Sequence, residues 1–281
     1  MNYEEHLRSE ITRIVREHPA NRLLDDSGPY FEDPLVGFAA ANNPLFEEYK
    51  QIIGPFHLTP DEVLRAELCP AALKAETVIS WVLPVAVAVR RSNRRETRLP
   101  SHEWAHTRAH GEEFNNNLRR TIVALLEEWG HQAVAPLLSS AFTRVDDGPA
   151  GIASSWSERH AAYAAGLGTF SLSDGLITPR GIAHRLGSVV TDLVLPPSTP
   201  VAGDHRAYCL VFRGRECTSC IRRCPASAIT EHGHDKNICS EYTYTTALSE
   251  VGEEYQVSVT GCGLCQTGVP CESRIPPTPS H

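Results

Sequence analysis

Eight of the nine cysteines of this 281-residue chain lie between Cys209 and Cys271. Their spacing constrains the fold more than any other feature. The densest part reads Cys217-x2-Cys220-x3-Cys224-Pro225. Cys239 follows alone, and Cys262-x2-Cys265-x5-Cys271 closes the set. Gaps of two residues let one loop wrap a single metal–sulfide cube, and a longer step carries the chain to another. Pro225 lacks an N–H and fixes its own φ, so it turns the chain there. Eight thiolates are the number that two [4Fe–4S] clusters require. Zinc also takes paired C-x2-C thiolates, but it explains neither the x3-Cys-Pro step nor so many thiolates in one quarter of a chain.

Cys217 to Pro225 matches the second half of the bacterial ferredoxin run C-x2-C-x2-C-x3-C-P, whose last cysteine ligates the other cluster of a two-cluster protein. With 41% hydrophobic residues the rest of the chain can bury a core. The net charge of −8 argues against broad attraction to nucleic acid or anionic membrane. No stretch approaches the ~20 apolar residues of a membrane span. Met1-Asn-Tyr-Glu-Glu-His has no basic region leading into an apolar one. C-x2-C pairs without an export signal favour metal binding in a reducing compartment, so a soluble, cytoplasmic protein is expected.

Leu7, Ile11, Ile14 and Val15 share one helical face that Pro19 ends. Residues 19–60, rich in Pro, Gly, Asn and Asp, predict turns with short helical pieces at most, a lid or pocket wall. Thr77 to Leu83 is a buried strand stopped by Pro84, and Val85 to Val89 extends it beyond a break. Arg90, Arg91, Arg94, Arg95 and Arg98 read as a solvated loop or as a phosphate or RNA contact. Phe114, Leu118, Ile122, Leu125, Leu126 and Trp129 make a helical stripe closed by Gly130. Asn115 to Asn117 on that helix could orient a polar ligand. His102, His106 and His110 recur every four residues, a metal site only if a helix aligns them.

Ser155-Trp-Ser-Glu158 reads as a capping box opening a helix that ends in Ala165-Gly-Leu-Gly168. Leu176 to Gly181 reads as a strand end and turn, and Leu186 to Leu195 as another buried strand. Pro196-Pro-Ser-Thr-Pro200 is the best linker, dividing residues 1–200 from residues 201–281. His232 and His234 fall on a turn around Gly233. Cys69, alone before Pro70, reads as a small buried hydrophobe.

Three stretches together resemble the epoxyqueuosine reductase family and the related reductive dehalogenases. They are Thr77 to Pro84; Glu158-Arg159 with Ala164-Ala-Gly-Leu-Gly168 and Leu186-Gly-Ser-Val-Val-Thr-Asp192; and the cysteine set with Pro225-Ala-Ser-Ala-Ile229 and Cys239. The resemblance implies an α+β fold, a nitroreductase-like α/β sandwich domain followed by a small ferredoxin-like domain. It implies two [4Fe–4S] clusters feeding a base-off cobalamin, an external donor such as ferredoxin, flavodoxin or a reductase, and a small-molecule substrate. Carried over residue by residue, Cys209, Cys217, Cys220 and Cys271 hold one cluster, and Cys224, Cys239, Cys262 and Cys265 hold the other.

The likeness has gaps. Ile152 stands where the family has an acidic proton donor, leaving Asp146 and Asp147 as the nearest carboxylates. Gly214 stands at the first cysteine of the run, with Cys209 as its substitute, and Glu272 replaces a proline. The chain stops ten residues after Cys271, before the family's tRNA-binding extension, so a tRNA substrate is not expected. The candidate catalytic residues are Glu158, Arg159, Tyr163 and Asp147. Gly166, Gly168, Gly187 and Ser188 are the candidate cofactor contacts. His160 shares a helix face with Tyr163, a packed pair or proton donors. Two other functions stay open: a cobalamin-free iron–sulfur protein that transfers electrons or catalyses at a cluster, and a structural-cluster module that binds nucleic acid through Arg90 to Arg98.

Overall fold

A computed structural model describes residues 2–68, 74–149, 151–201 and 203–277. Helix α1 (Tyr3–Glu17) starts under Asn2, whose side chain accepts from the Glu5 N–H, and buries Leu7, Ile11, Ile14 and Val15. The turn-rich segment that follows holds more than short helices. Strand β1 (Leu35–Ala40) precedes helices α2 (Leu45–Ile52) and α3 (Pro60–Leu68). Leu-Val-Gly-Phe-Ala-Ala lacks a strand-like run because Gly37 interrupts it. That glycine is required, since a Cβ there would stand 2.4 Å from the Ala165 carbonyl oxygen. Cys69 lies outside the described residues.

Strand β2 (Thr77–Pro84) forms as its β-branched run predicts, with every residue buried. It does not continue past Val85. Val87 instead opens helix α4 (Val87–Arg95), which carries the first four arginines of the run. Helix α5 (His102–Glu128) is capped by the Ser101 hydroxyl, which accepts from the Trp104 N–H, and the chain leaves it through Gly130 at φ +85°. Then come β3 (Ala133–Val134), the hairpin β4 (Arg144–Gly148) with β5 (Gly151–Ser154), α6 (Glu158–Ala164), β6 (Thr169–Phe170), β7 (Leu176–Ile177) and β8 (His184–Thr191). Beyond Pro200 all elements are short: α7 (Ser219–Arg223), β9 (Ile229–Thr230), β10 (Gly233–His234), α8 (Lys236–Glu241), a π-helical turn over Tyr242–Ala247, and α9 (Leu248–Val251).

The main sheet is antiparallel, in the order β1-β2-β8-β3. Side chains alternate along a strand, so Ile79, Trp81 and Leu83 enter one core with Leu7, Ile11, Phe114, Leu118 and Ile122. Val78 and Val82 enter a second core with Phe46, Tyr49, Val63, Trp156 and Ala161. Helices thus cover both faces, which is why β2 reads as a continuous apolar run rather than an alternating one. Asn115, considered above as a ligand contact, is spent on the core. It accepts from Trp81 Nε1 at 2.9 Å and donates to the Leu186 carbonyl at 2.9 Å. The fold is mixed α/β, and among the described residues no helix is long and apolar enough to cross a membrane.

Charge joins the cysteine quarter to this body. Ile182 and Ala183 donate their N–H groups to the carbonyls of Cys271 and Glu272. Arg94 clamps the buried Glu272 carboxylate at 2.5 and 3.1 Å. Arg90 bridges Glu32 at 3.2 Å and Glu272 at 3.9 Å, and Arg98 pairs with Glu250. The arginine run is therefore helical over most of its length, and three of its members neutralise carboxylates from distant segments.

Candidate functional site

The eight cysteines from Cys209 onward are free thiols. They surround two cavities. Cys209, Cys217, Cys220 and Cys271 line one, together with Ser171, Ile177 and Val269. Cys224, Cys239, Cys262 and Cys265 line the other, of 570 Å³. Local geometry divides them. Cys224 is the C-cap of α7 with an extended backbone, so the chain leaves the helix at that thiol. Gly263 lies between Cys262 and Cys265 at φ +63°, and a Cβ there would meet the Trp104 indole at 2.0 Å. Asp235 caps α8, accepting from the Asn237 and Ile238 N–H groups, and α8 presents Cys239.

Burial pushes Cys271 up to about 12, and the thiols of Cys209, Cys220 and Cys217 add to the shift. Burial likewise lifts Cys262 to about 11, with Cys239 and Cys224 adding to it. Such thiols stay protonated in water and release their protons when a metal takes the sulfur. Cys239 differs. Burial raises it, but contact with His234 outweighs this and lowers it. His234 also stands 3.4 Å from Asp174, an ion-pair distance without hydrogen-bond alignment. Among the described residues no three His, Cys, Asp or Glu side chains close to the spacing of a single metal ion. The thiols ring cavities instead, and four thiols per cavity are the donor set of a [4Fe–4S] cluster.

The larger cavity reaches past the thiols to a charged floor. The capping box expected at its entrance does not form. Ser155 is folded inward, donating to the Ala141 carbonyl and accepting from the Thr143 N–H. Helix α6 starts two residues later, with Ser157 as N-cap and the Ser157 hydroxyl 2.7 Å from His160 Nδ1. Glu158 faces the cavity, but its partner is not Arg159. It accepts from Arg119 Nη2 at 3.2 Å, and Arg119, fully buried, donates Nη1 to Glu112 at 2.9 Å. Arg185 closes the chain with two hydrogen bonds to the other Glu112 oxygen, at 2.8 and 2.5 Å. Burial pushes Glu112 up, yet Arg185 and Arg119 outweigh it and hold the carboxyl down at about 2. Two buried polar atoms on this floor lack partners, Glu158 Oε2 and Arg119 Nε.

Arg159 also lines the cavity, donating to the Asp174 carbonyl at 2.7 Å. Tyr163 lies outside it, its ring 5.6 Å from Phe170. Asp147 sits exposed on the β4–β5 hairpin. The space beside the candidate cofactor contacts is taken by protein. A Cβ on Gly166 would meet the Thr199 carbonyl at 2.4 Å, one on Gly168 the Ile177 carbonyl at 2.3 Å, and one on Gly187 the Trp81 indole at 2.4 Å. Ser188 accepts from Trp156 Nε1 at 2.9 Å. The histidines of α5 do align, with ring centroids 4.0 and 5.3 Å apart, but His106 Nε2 meets the Tyr255 carbonyl at 2.8 Å.

Glu112, Arg119 and Arg185 escaped the sequence reading. One signal was available. Glu112, Asn115 and Arg119 stand at helical spacing inside an otherwise apolar stripe, where three polar residues on a buried face require partners.

No family model matches the chain. It is 30% identical over 183 residues to an epoxyqueuosine reductase of Synechocystis sp., covering 63% of this chain and 57% of that protein. A second, from Leadbetterella byssophila, is 29% identical over 121 residues, 41% of this chain and 37% of that protein. The chain is similar to the epoxyqueuosine reductases. This bears out the resemblance seen in the sequence and makes the homologues oxidoreductases by name. The chain spans little more than half the length of the first relative.

Solved structures give the same fold. The epoxyqueuosine reductase of Streptococcus thermophilus superposes with a TM-score of 0.50 at 15% identity, over 95% of this chain and 66% of that one. A catabolic reductive dehalogenase reaches 0.51 at 17% identity, over 85% of this chain and 30% of that one. The expectation against a tRNA substrate finds no support in these comparisons.

Proposed function

We propose that this chain is an iron–sulfur oxidoreductase. Two [4Fe–4S] clusters pass electrons from an external donor to a base-off cobalamin, for deoxygenation or dehalogenation of a small organic substrate. One observation carries the reading: the second thiol group and the buried network of Glu112, Arg119, Glu158 and Arg185 line the same cavity. In this reading residues 1–200 form a nitroreductase-like reductase domain and residues 201–281 a ferredoxin-like iron–sulfur domain. Cys209, Cys217, Cys220 and Cys271 hold the cluster farther from the cavity, and Cys224, Cys239, Cys262 and Cys265 the nearer one.

Bound cobalamin would supply Co(I), a strong nucleophile and one-electron reductant. The chain supplies the enclosure. Trp156, Leu176, Ile182 and Leu186 give the cavity an apolar wall that excludes water. Glu112 fixes Arg185 and Arg119, and Arg119 fixes Glu158, so the polar floor keeps its geometry while charge changes above it. Glu158 Oε2 and Arg119 Nε stay buried without partners beneath this floor.

Anaerobic reconstitution with iron, sulfide and cobalamin tests the reading. The expected result is about eight irons per chain together with a base-off Co(II) EPR signal. If the irons load but cobalamin neither co-purifies nor binds at micromolar concentration, cobalamin chemistry is excluded and a cobalamin-free cluster protein replaces it.

A further inference from the structure

Arg223 ends α7, one residue before Cys224. Its Nε donates to the carbonyls of Thr267 at 2.9 Å and Leu264 at 3.2 Å. Nη1 donates to the Glu96 carbonyl at 2.7 Å, and Nη2 to the Asn93 carbonyl at 3.2 Å and the Thr267 hydroxyl at 3.4 Å. Every acceptor is neutral. Arg90, Arg94, Arg98, Arg119 and Arg185 all face a glutamate. Among the described residues Arg223 has no carboxylate partner, so its charge is fixed in place and left uncompensated.

Two of its acceptors, Leu264 and Thr267, flank Cys265 in the loop that begins at Cys262, and Arg223 itself adjoins Cys224. Three of the four thiols of the second group are therefore its close neighbours in the chain or across the loop. Reduction adds one negative charge to a cluster, and a fixed cation favours the more negative form.

We propose that Arg223 holds the reducing electron on the cluster of the second thiol group, beside the cavity, through this uncompensated charge. The inference rests on the two-cluster reading above. Arg223 is a positioning residue. Its five hydrogen bonds fix where the charge stands, and the charge sets how strongly the nearer cluster retains an electron. The electron comes from the external donor and leaves toward the cavity, and no bond to Arg223 forms or breaks.

The test is a redox titration followed by EPR on protein reconstituted with iron and sulfide alone, in wild type, Arg223→Gln and Arg223→Lys. Arg223→Gln should make one cluster about tenfold harder to reduce, about 59 mV for a one-electron couple, and leave the other unmoved. The affected cluster should be the one whose signal Cys239→Ser perturbs. Arg223→Lys keeps the charge and should stay near wild type. Midpoints unmoved in Arg223→Gln would overturn the proposal. So would loss of one cluster's iron in both variants, because Arg223 would then be only a staple between α4 and the loop. Wild-type protein that loads far fewer than eight irons would instead remove the two-cluster reading, and this proposal with it.

Discussion

The sheet and the cysteine quarter are held together by different means. In the sheet, all eight residues of β2 are buried, and the 27-residue helix α5 covers one face. Each fully buried large apolar side chain there contributes about 1.5–3 kcal/mol. In the cysteine quarter, the buried apolar residues from Ala228 on are Ala228, Ile229, Ala247, Val251, Val257, Leu264 and Val269. No α-helix there exceeds the six residues of α8. So small a core cannot order seventy residues, roughly the size below which domains need metals or disulfides. The first region folds by burial. On the proposed reading, the second depends on metal ligation together with the arginine clamps at its seam.

Iron removal should separate the two most sharply. Chelation of reconstituted protein is expected to abolish amide-exchange protection across residues 209–271 while β2 and β8 keep theirs. Equal protection with and without iron would show that burial alone orders both regions.

Glu112→Gln should break the sheet region from its charged side. It leaves the fully buried Arg119 with Glu158 as its one remaining carboxylate partner, a cost of about 3–5 kcal/mol, measurable by urea denaturation. The pH dependence gives the sign. Burial raises the Glu112 carboxyl, but Arg185 and Arg119 hold it at about 2, below its ordinary 4.5. Its stabilisation is complete above 4.5 and is lost as pH falls through about 2. The variant's stability should be flatter than wild type in that window, and parallel curves would remove Glu112 as the cause.

Arg94→Ala should have the smallest effect, about 1 kcal/mol in thermal denaturation of the seam, because the Arg94 side chain is 54% exposed. Glu272 keeps the Gly268 N–H at 2.7 Å and Arg90 at 3.9 Å. A loss above about 3 kcal/mol, the scale of a broken buried pair, would mean that this one clamp holds the seam.

Legibility followed the range of each interaction. The stripe of α1, the run of β2 and the stripe of α5 could be read from the sequence because each element's pattern repeats within its own turn or pleat. Strand β1 could not, because its glycine answers a carbonyl more than a hundred residues away. The capping box at Ser155 failed for a related reason. A local Ser-x-x-Glu pattern is sound only if both side chains are free, and the Ala141 carbonyl and Arg119 had taken them. Arg90, Arg94 and Arg98 read as solvated because their glutamates lie elsewhere in the chain.

By itself the sequence determined that eight thiols gather in one quarter of the chain at cluster-like spacing, which helices have an apolar face and where the most buried strand runs. These follow from chemistry and periodicity within a few residues. Spacing alone left open which four thiols share a cavity, a division that only the resemblance implied, and only the tertiary structure decided which arginine meets which carboxylate. Arg185 meets Glu112 across 73 residues, and Arg94 meets Glu272 across 178. No spacing rule reaches that far. The partner of a charge is whatever the folded sheet and helices bring within about 3 Å of it.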